Sequence, residues 1–391
     1  MVSKQHWILP EGIEEILPEQ AARFEDMRRL LLDMYASWGY ELVVPPMIDF
    51  IESLLTGTGH DLDLQTFKLI DQLSGHTLGF RADMTPQVAR IDAHQLCRDV
   101  PTRLCYIGTV LHTKPEAIGE SRSPMQVGAE LYGHAGVESE VEIIGLMLQT
   151  FKALQVDDIY LDLGNVDIYR GLAKQAGLDA HTEMQLFDML QRKAVTEINT
   201  LLDSLDIDDN VRTMLAGLPT LNGDRSVLNR ARALLKDADE SVRFAIDYLE
   251  QTADLMWQRY GDVDVHFDLG ELQGYHYKTG VVFAAFVPQL GQAIARGGRY
   301  DDIGKVFGRA RAATGFSTDL KVLGQLSQRQ FETKTRIYAP ASDDPALQAR
   351  IAELRSQGNI VVEQLSGQIA DAEAMACDTS LRLVDGTWIV E

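Results

Sequence analysis

A chain of 391 residues, 45% hydrophobic and 24% charged, has the make-up of an ordinary globular protein with room for two or three domains. No stretch approaches the run of about 18 apolar residues that a membrane helix needs, and Met1–Pro18 lacks the basic-then-apolar order of a secretion signal, so a cytoplasmic protein off the membrane is expected. The formal net charge of −22 disfavours nucleic acid, which is held largely by Lys and Arg on its phosphates. Cys97, Cys105 and Cys377 are odd in number and fit neither a zinc knuckle nor a disulfide framework, so they read as small core residues.

The first element is a helix. Pro18-Glu19-Gln20 opens it with a proline and an acid in the first turn. Phe24, Met27, Leu30, Leu31, Met34, Tyr35 and Trp38 recur at helical spacing before Gly39 stops it. Tyr40–Val44 reads as a short strand ended by Pro45-Pro46, and Arg103–Ile107, Ile159–Leu163, Val263–Leu269 and Val281–Phe286 as further strands. These strands do not alternate with single helices, which points to an α+β fold with a largely antiparallel sheet flanked by helices. Between residues 178 and 260 strand signals vanish and helical runs at 183–204, 226–236 and 240–259 suggest a helical insertion. The sheet domain then comprises 1–177 and 261–325. Residues 330–391 form a third, small α/β piece, with a strand at Thr335–Ala339, a helix at Pro345–Gln357 and strands near 359–363, 380–384 and 387–390.

Generic motifs are absent: there is no Walker loop, no dinucleotide fingerprint and no zinc-protease helix, and the nine histidines do not pair at metal-ligand spacing. No cofactor or metal is expected. Gly297-Gly298-Arg299-Tyr300-Asp301 reads as a Gly-rich turn. More telling is the order of several segments: Gly39–Pro46, Phe80–Thr85, Pro101–Gly108, Gln126–Glu130, Leu272–Tyr277, Ala295–Asp301 and Gly315–Leu323. Taken together, over residues 5–325, they resemble the class II histidyl-tRNA synthetase family.

That resemblance implies a class II synthetase-like sheet domain, with Gly39–Pro46 at a homodimer interface. It also implies a histidine pocket. Asp83, Thr85, Gln126, Glu130, Tyr275, Tyr277 and Tyr300 fall where the family places ligand contacts. The chemistry agrees: carboxylates suit an ammonium and a ring N–H, an amide donates or accepts, and tyrosines stack or hydrogen-bond from an apolar wall. His112 and Arg299 are further candidates, Arg299 standing equally as a structural ion pair.

The departures from the family concern ATP. Its second motif carries Arg-x-Glu where this chain has His112-Thr113-Lys114; its histidine-specific segment begins with a catalytic Arg where this chain has Gln273. Its third motif ends Glu-Arg, here Lys321-Val322. Lys321 stays open as a shifted substitute, although a compact ammonium does not reproduce a planar, stacking guanidinium. Removing one preorganised charge donor typically slows such chemistry by about 10²- to 10³-fold. A retained histidine pocket with lost ATP machinery resembles the regulatory subunits of ATP phosphoribosyltransferase, which have no catalytic residues of their own. It implies a short catalytic subunit as partner, histidine as feedback effector, and a homodimer within a hetero-oligomer. An active histidyl-tRNA synthetase and a synthetase paralogue with another ligand remain the alternatives. The acidic stretch after Phe331, with Asp343, Asp344, Glu353, Glu363, Asp371, Glu373, Asp378 and Asp385, is a poor surface for RNA.

Overall fold

The computed structural model describes residues 7–55, 60–115, 121–272, 274–275, 277–369 and 371–391. The chain forms two compact units, Met1–Arg329 and Gln330–Glu391.

In the first unit the strands run β1 (Glu41–Leu42), β2 (Ile48–Phe50), β3 (Lys68–Ile70), β4 (Thr77–Phe80), β5 (Thr102–Thr109) and β6 (Met125–Tyr132). They continue with β7 (Tyr160–Asn165), β8 (Asn222–Gly223), β9 (Asp264–Asp268), β10 (Val281–Phe286), β11 (Ala295–Arg299) and β12 (Ala313–Asp319). Nine of them make one sheet in the order β1-β5-β6-β12-β11-β10-β7-β9-β8, and β2-β4-β3 make a small second sheet. Only β1–β5 and β7–β9 pair in parallel; the six other neighbours of the large sheet are antiparallel. The expected α+β class with a largely antiparallel sheet is what the chain adopts.

Helices cover the back of this sheet. Val137–Ala153 buries Val141, Ile143, Ile144, Leu146 and Met147. Pro18–Ser37 buries Phe24, Met27, Leu31 and Tyr35 and ends at Gly39, whose φ of 83° suits glycine. Tyr35 ties the two helices through a 2.9 Å hydrogen bond to Thr150 and packs edge-on against Phe316 of β12. Strand β10 reads Val-Val-Phe-Ala-Ala-Phe because it is buried on both faces.

Three expectations need correction. Of the three cysteines read as core residues only Cys105 is buried; Cys97 is exposed and Cys377 half-buried. Gly297-Gly298-Arg299 is not a turn but the end of β11, in the middle of the sheet. The glycines are there for close approach: a Cβ on Gly297 would lie 2.3 Å from the Phe283 ring and 2.5 Å from the Gly315 carbonyl oxygen. The stretch 178–260 is also not free of strand. Helices occupy Ala180–Gln191, Val195–Asp203, Asp209–Gly217, Ser226–Leu234 and Glu240–Tyr260, but β8 pairs with β9 at the sheet's edge. A two-residue strand is too short to show a period of two.

The second unit pairs β13 (Arg336–Ala339), β14 (Ile360–Glu363), β15 (Thr379–Val384) and β16 (Thr387–Val390) in the order β14-β13-β15-β16. The Pro345–Ser356 helix contributes Leu347, Ile351 and Leu354 to a core with Ile337, Ala339, Val361 and Leu381.

Candidate functional site

Glu130 is the centre of the front face. Period-two alternation along β6 turns Gly128 and Glu130 forward while Ala129 faces the helices. The carboxylate is 1% exposed. Its Oε1 accepts from Tyr106 Oη at 2.9 Å and Thr85 Oγ1 at 3.1 Å, and its Oε2 accepts from Tyr300 Oη. Glycine opposite makes this possible, because a Cβ on Gly315 would fall 1.5 Å from Glu130 Oε2. Burial pushes the Glu130 carboxyl up to about 8, and the hydroxyls of Tyr300 and Tyr106 only partly offset that. The site is therefore poised to gain from a bound cation.

Asp83 and Gln126 stand beside it as one unit. Gln126 Nε2 donates to Asp83 Oδ1 at 2.7 Å, and Gln126 Oε1 accepts the Met84 N–H at 2.9 Å. Asp83 Oδ1 also accepts the Thr85 N–H at 3.0 Å, at the start of the Thr85–Arg90 helix. Both groups remain part-exposed. The front face is walled by a cluster including Met84, Val88, Tyr106, Tyr132 and Tyr300.

The structure thus brings together Asp83, Thr85, Gln126, Glu130 and Tyr300. Tyr275 is directed elsewhere: its hydroxyl donates to Glu183, its ring lies among Tyr169 and Phe187, and the Arg170 guanidinium stacks 4.8 Å from its centroid. Tyr277 is 40% exposed. Arg299 is a structural ion pair, its guanidinium held by the fully buried Glu140 and, at 3.0 Å, by Asp301. His112 is buried, with Nε2 2.9 Å from the Ala82 carbonyl oxygen, and is spent on backbone. Two neighbours escaped sequence reasoning. Tyr106 has a period-two signal in β5 that points it forward with Leu104, whereas Lys278 had only its place just after Tyr277.

Three basic residues, Lys321, Arg81 and Arg122, are tied to protein groups. Lys321 Nζ donates to Glu14 at 2.8 Å and to Ser121 and Ser123 at 3.3 Å. Arg81 donates to the carbonyl oxygens of Pro45 and Thr109, and Arg122 to those of His112 and Glu11. Lys114 is exposed. Gln273 lies outside the described residues.

A class II sheet domain with a buried, hydroxyl-ringed carboxylate on its front face is the class of protein that these features define. A family model described as histidyl-tRNA synthetase matches residues 12–323. A second, described as the ATP phosphoribosyltransferase subunit HisZ C-terminal domain, matches residues 334–391. The chain is 62% identical to an ATP phosphoribosyltransferase regulatory subunit of Thioalkalivibrio sulfidiphilus, over 97% of both chains. It is 56% identical to one of Methylococcus capsulatus, over 98% of this chain and 95% of that one. A solved structure described as an ATP phosphoribosyltransferase regulatory subunit/histidyl-tRNA synthetase from Bacillus halodurans superposes with a TM-score of 0.83 at 26% identity, covering 95% of this chain and 96% of that one. The chain belongs to the family of ATP phosphoribosyltransferase regulatory subunits, built on a histidyl-tRNA synthetase-like domain.

Proposed function

We propose that this chain is the non-catalytic, histidine-sensing subunit of a cytoplasmic ATP phosphoribosyltransferase. It activates a short catalytic subunit and relays feedback inhibition when histidine occupies the front face of the sheet. The observation that carries this reading is the Glu130 carboxylate, buried under three hydroxyls and built into a Gly-cleared niche, while nearby Arg81, Arg122 and Lys321 are committed to protein groups. A histidine ammonium and ring N–H match the Asp83–Gln126 pair and Glu130. Nothing among the described residues offers an ATP α-phosphate a free arginine at the positions of His112 and Val322. Reciprocity requires histidine to favour one state of the complex, typically by about 1–3 kcal/mol.

Residues 1–177 and 261–325 are assigned to histidine binding, 178–260 to a helical insertion and 330–391 to a small C-terminal domain. The homodimer contact is assigned to the Gly39–Pro46 edge, where Leu42 and Val44 are 49% and 81% exposed. Phosphoribosyl transfer to ATP by the short catalytic subunit of the same organism, measured with and without this chain and across a histidine titration, tests the reading. Activation followed by inhibition that Glu130→Ala weakens is expected. An unchanged rate with charging of tRNA by the chain alone would establish a synthetase instead.

A further inference from the structure

Across the front of the sheet, Glu130 stands opposite Gly315, Gly315 opposite Gly298, and Gly298 opposite Val282. Directly opposed residues share a face, so this row crosses four strands on one side. Glu130 occupies one end. At the other, the Lys278 stem lies over Gly298: a Cβ there would sit 3.2 Å from Lys278 Cδ and 2.6 Å from the Val281 carbonyl oxygen. Neighbouring strands are about 4.8 Å apart, so the backbones of Glu130 and Gly298 are separated by about 10 Å, with only Gly315 between them. A single amino acid with a five-membered ring spans that gap from ring to carboxylate.

Lys278 is only 6% exposed, and its ammonium donates to the Gly297 carbonyl oxygen at 2.7 Å. Buried lysines are rare unless paired, and an ammonium has three donors to place. Burial depresses its pKa to about 8, Glu271 supporting the charge and Arg296 opposing it. Arg296 lies two residues before Gly298 on β11, hence on the same face. The face therefore carries carboxylates at one end, Asp83 and Glu130, and a lysine and an arginine at the other. That is the charge layout of a zwitterion.

We propose that Lys278, with Arg296 beside it, is the anion-recognising end of the pocket and takes the α-carboxylate of the bound amino acid. The proposal rests on the function given above and narrows it: the ligand must carry a free carboxylate, and the amine or ester with the same ring is rejected. No residue of the family's ATP machinery is involved.

Calorimetry on the full chain with L-histidine, histidine methyl ester and histamine tests this, together with Lys278→Met. The unmodified chain is expected to bind histidine about 10- to 100-fold more tightly than either analogue, the span of one charge-assisted hydrogen bond. Lys278→Met is expected to bring histidine down to the affinity of histamine while leaving histamine unchanged. Equal loss for both ligands would mark Lys278 as merely structural and overturn the proposal, though not the function. Equal affinity of the unmodified chain for acid and ester overturns it without recourse to a variant that must fold. Failure of the unmodified chain to bind histidine at all overturns the functional reading, and this one with it.

Discussion

Histidine affinity should pass through a maximum near pH 8, and the two limbs should belong to two different residues. The perturbations are pH itself and the variants Glu130→Gln and Lys278→Met. Burial raises the Glu130 carboxyl to about 8, so it is protonated below and ionised above that pH. Burial lowers the Lys278 ammonium to about 8, so it is charged below and neutral above. Binding of a zwitterion needs both charges. At pH 7 about one-eleventh of Glu130 is ionised while about ten-elevenths of Lys278 is protonated, so about 8% of molecules carry both. At pH 8 each is half populated and the fraction is about 25%; at pH 9 it returns to about 8%. Apparent affinity scales with the competent fraction, so the dissociation constant should fall about threefold from pH 7 to 8 and rise about threefold by pH 9. The ligand's imidazole is mostly neutral at pH 7 and fully so by pH 8 and 9, so it adds only a small contribution to the acid limb. Its own ammonium starts to titrate at the upper end and steepens the basic limb. Titration calorimetry in a buffer series reads the curve directly. Glu130→Gln should weaken binding about tenfold or more and erase the acid limb; Lys278→Met should erase the basic limb due to the protein. An acid limb that survives Glu130→Gln, or affinity falling steadily from pH 7 upward in the unmodified chain, refutes the reasoning.

Gly315→Ala should destabilise the fold by about 1–3 kcal/mol in urea unfolding and abolish histidine binding, since the new methyl lands on Glu130 Oε2 and 2.8 Å from the Ala129 carbonyl oxygen. Arg299→Met leaves the fully buried Glu140 carboxylate without its cation, and a loss of about 3–5 kcal/mol is expected in the same assay. The purified chain should give no histidine-dependent exchange of pyrophosphate into ATP above background. His112→Arg alone should not restore it, because Gln273 and Val322 still stand where the family has arginines.

Much of the fold was legible in order and spacing. The Pro18–Ser37 helix, β5, β7, β9, β10 and every strand of the second unit carry apolar periodicity or a continuous apolar run, and those signals depend only on neighbours in the chain. The central strands β6, β11 and β12 were not legible in this way. Each holds glycine where another side chain must pass close over the backbone, as Glu130 does over Gly315 and Lys278 over Gly298. Glycine reads locally as a turn, and only the partner strand explains it.

The candidate site divides along the same line. The amino-acid sequence by itself determined the family, and it put Asp83, Thr85, Gln126, Glu130 and Tyr300 on a candidate list that also held Tyr275, Tyr277, His112 and Arg299, because residue types at fixed positions in ordered segments are one-dimensional information. Tertiary structure alone decided which candidates cluster around Glu130 and Asp83. It sent Tyr275 to Glu183 and Arg299 to Glu140, and it set Lys278 across the sheet from Glu130. Strand register across four strands places those groups, and burial then tunes their charge. Neither register nor burial can be computed from one segment read alone.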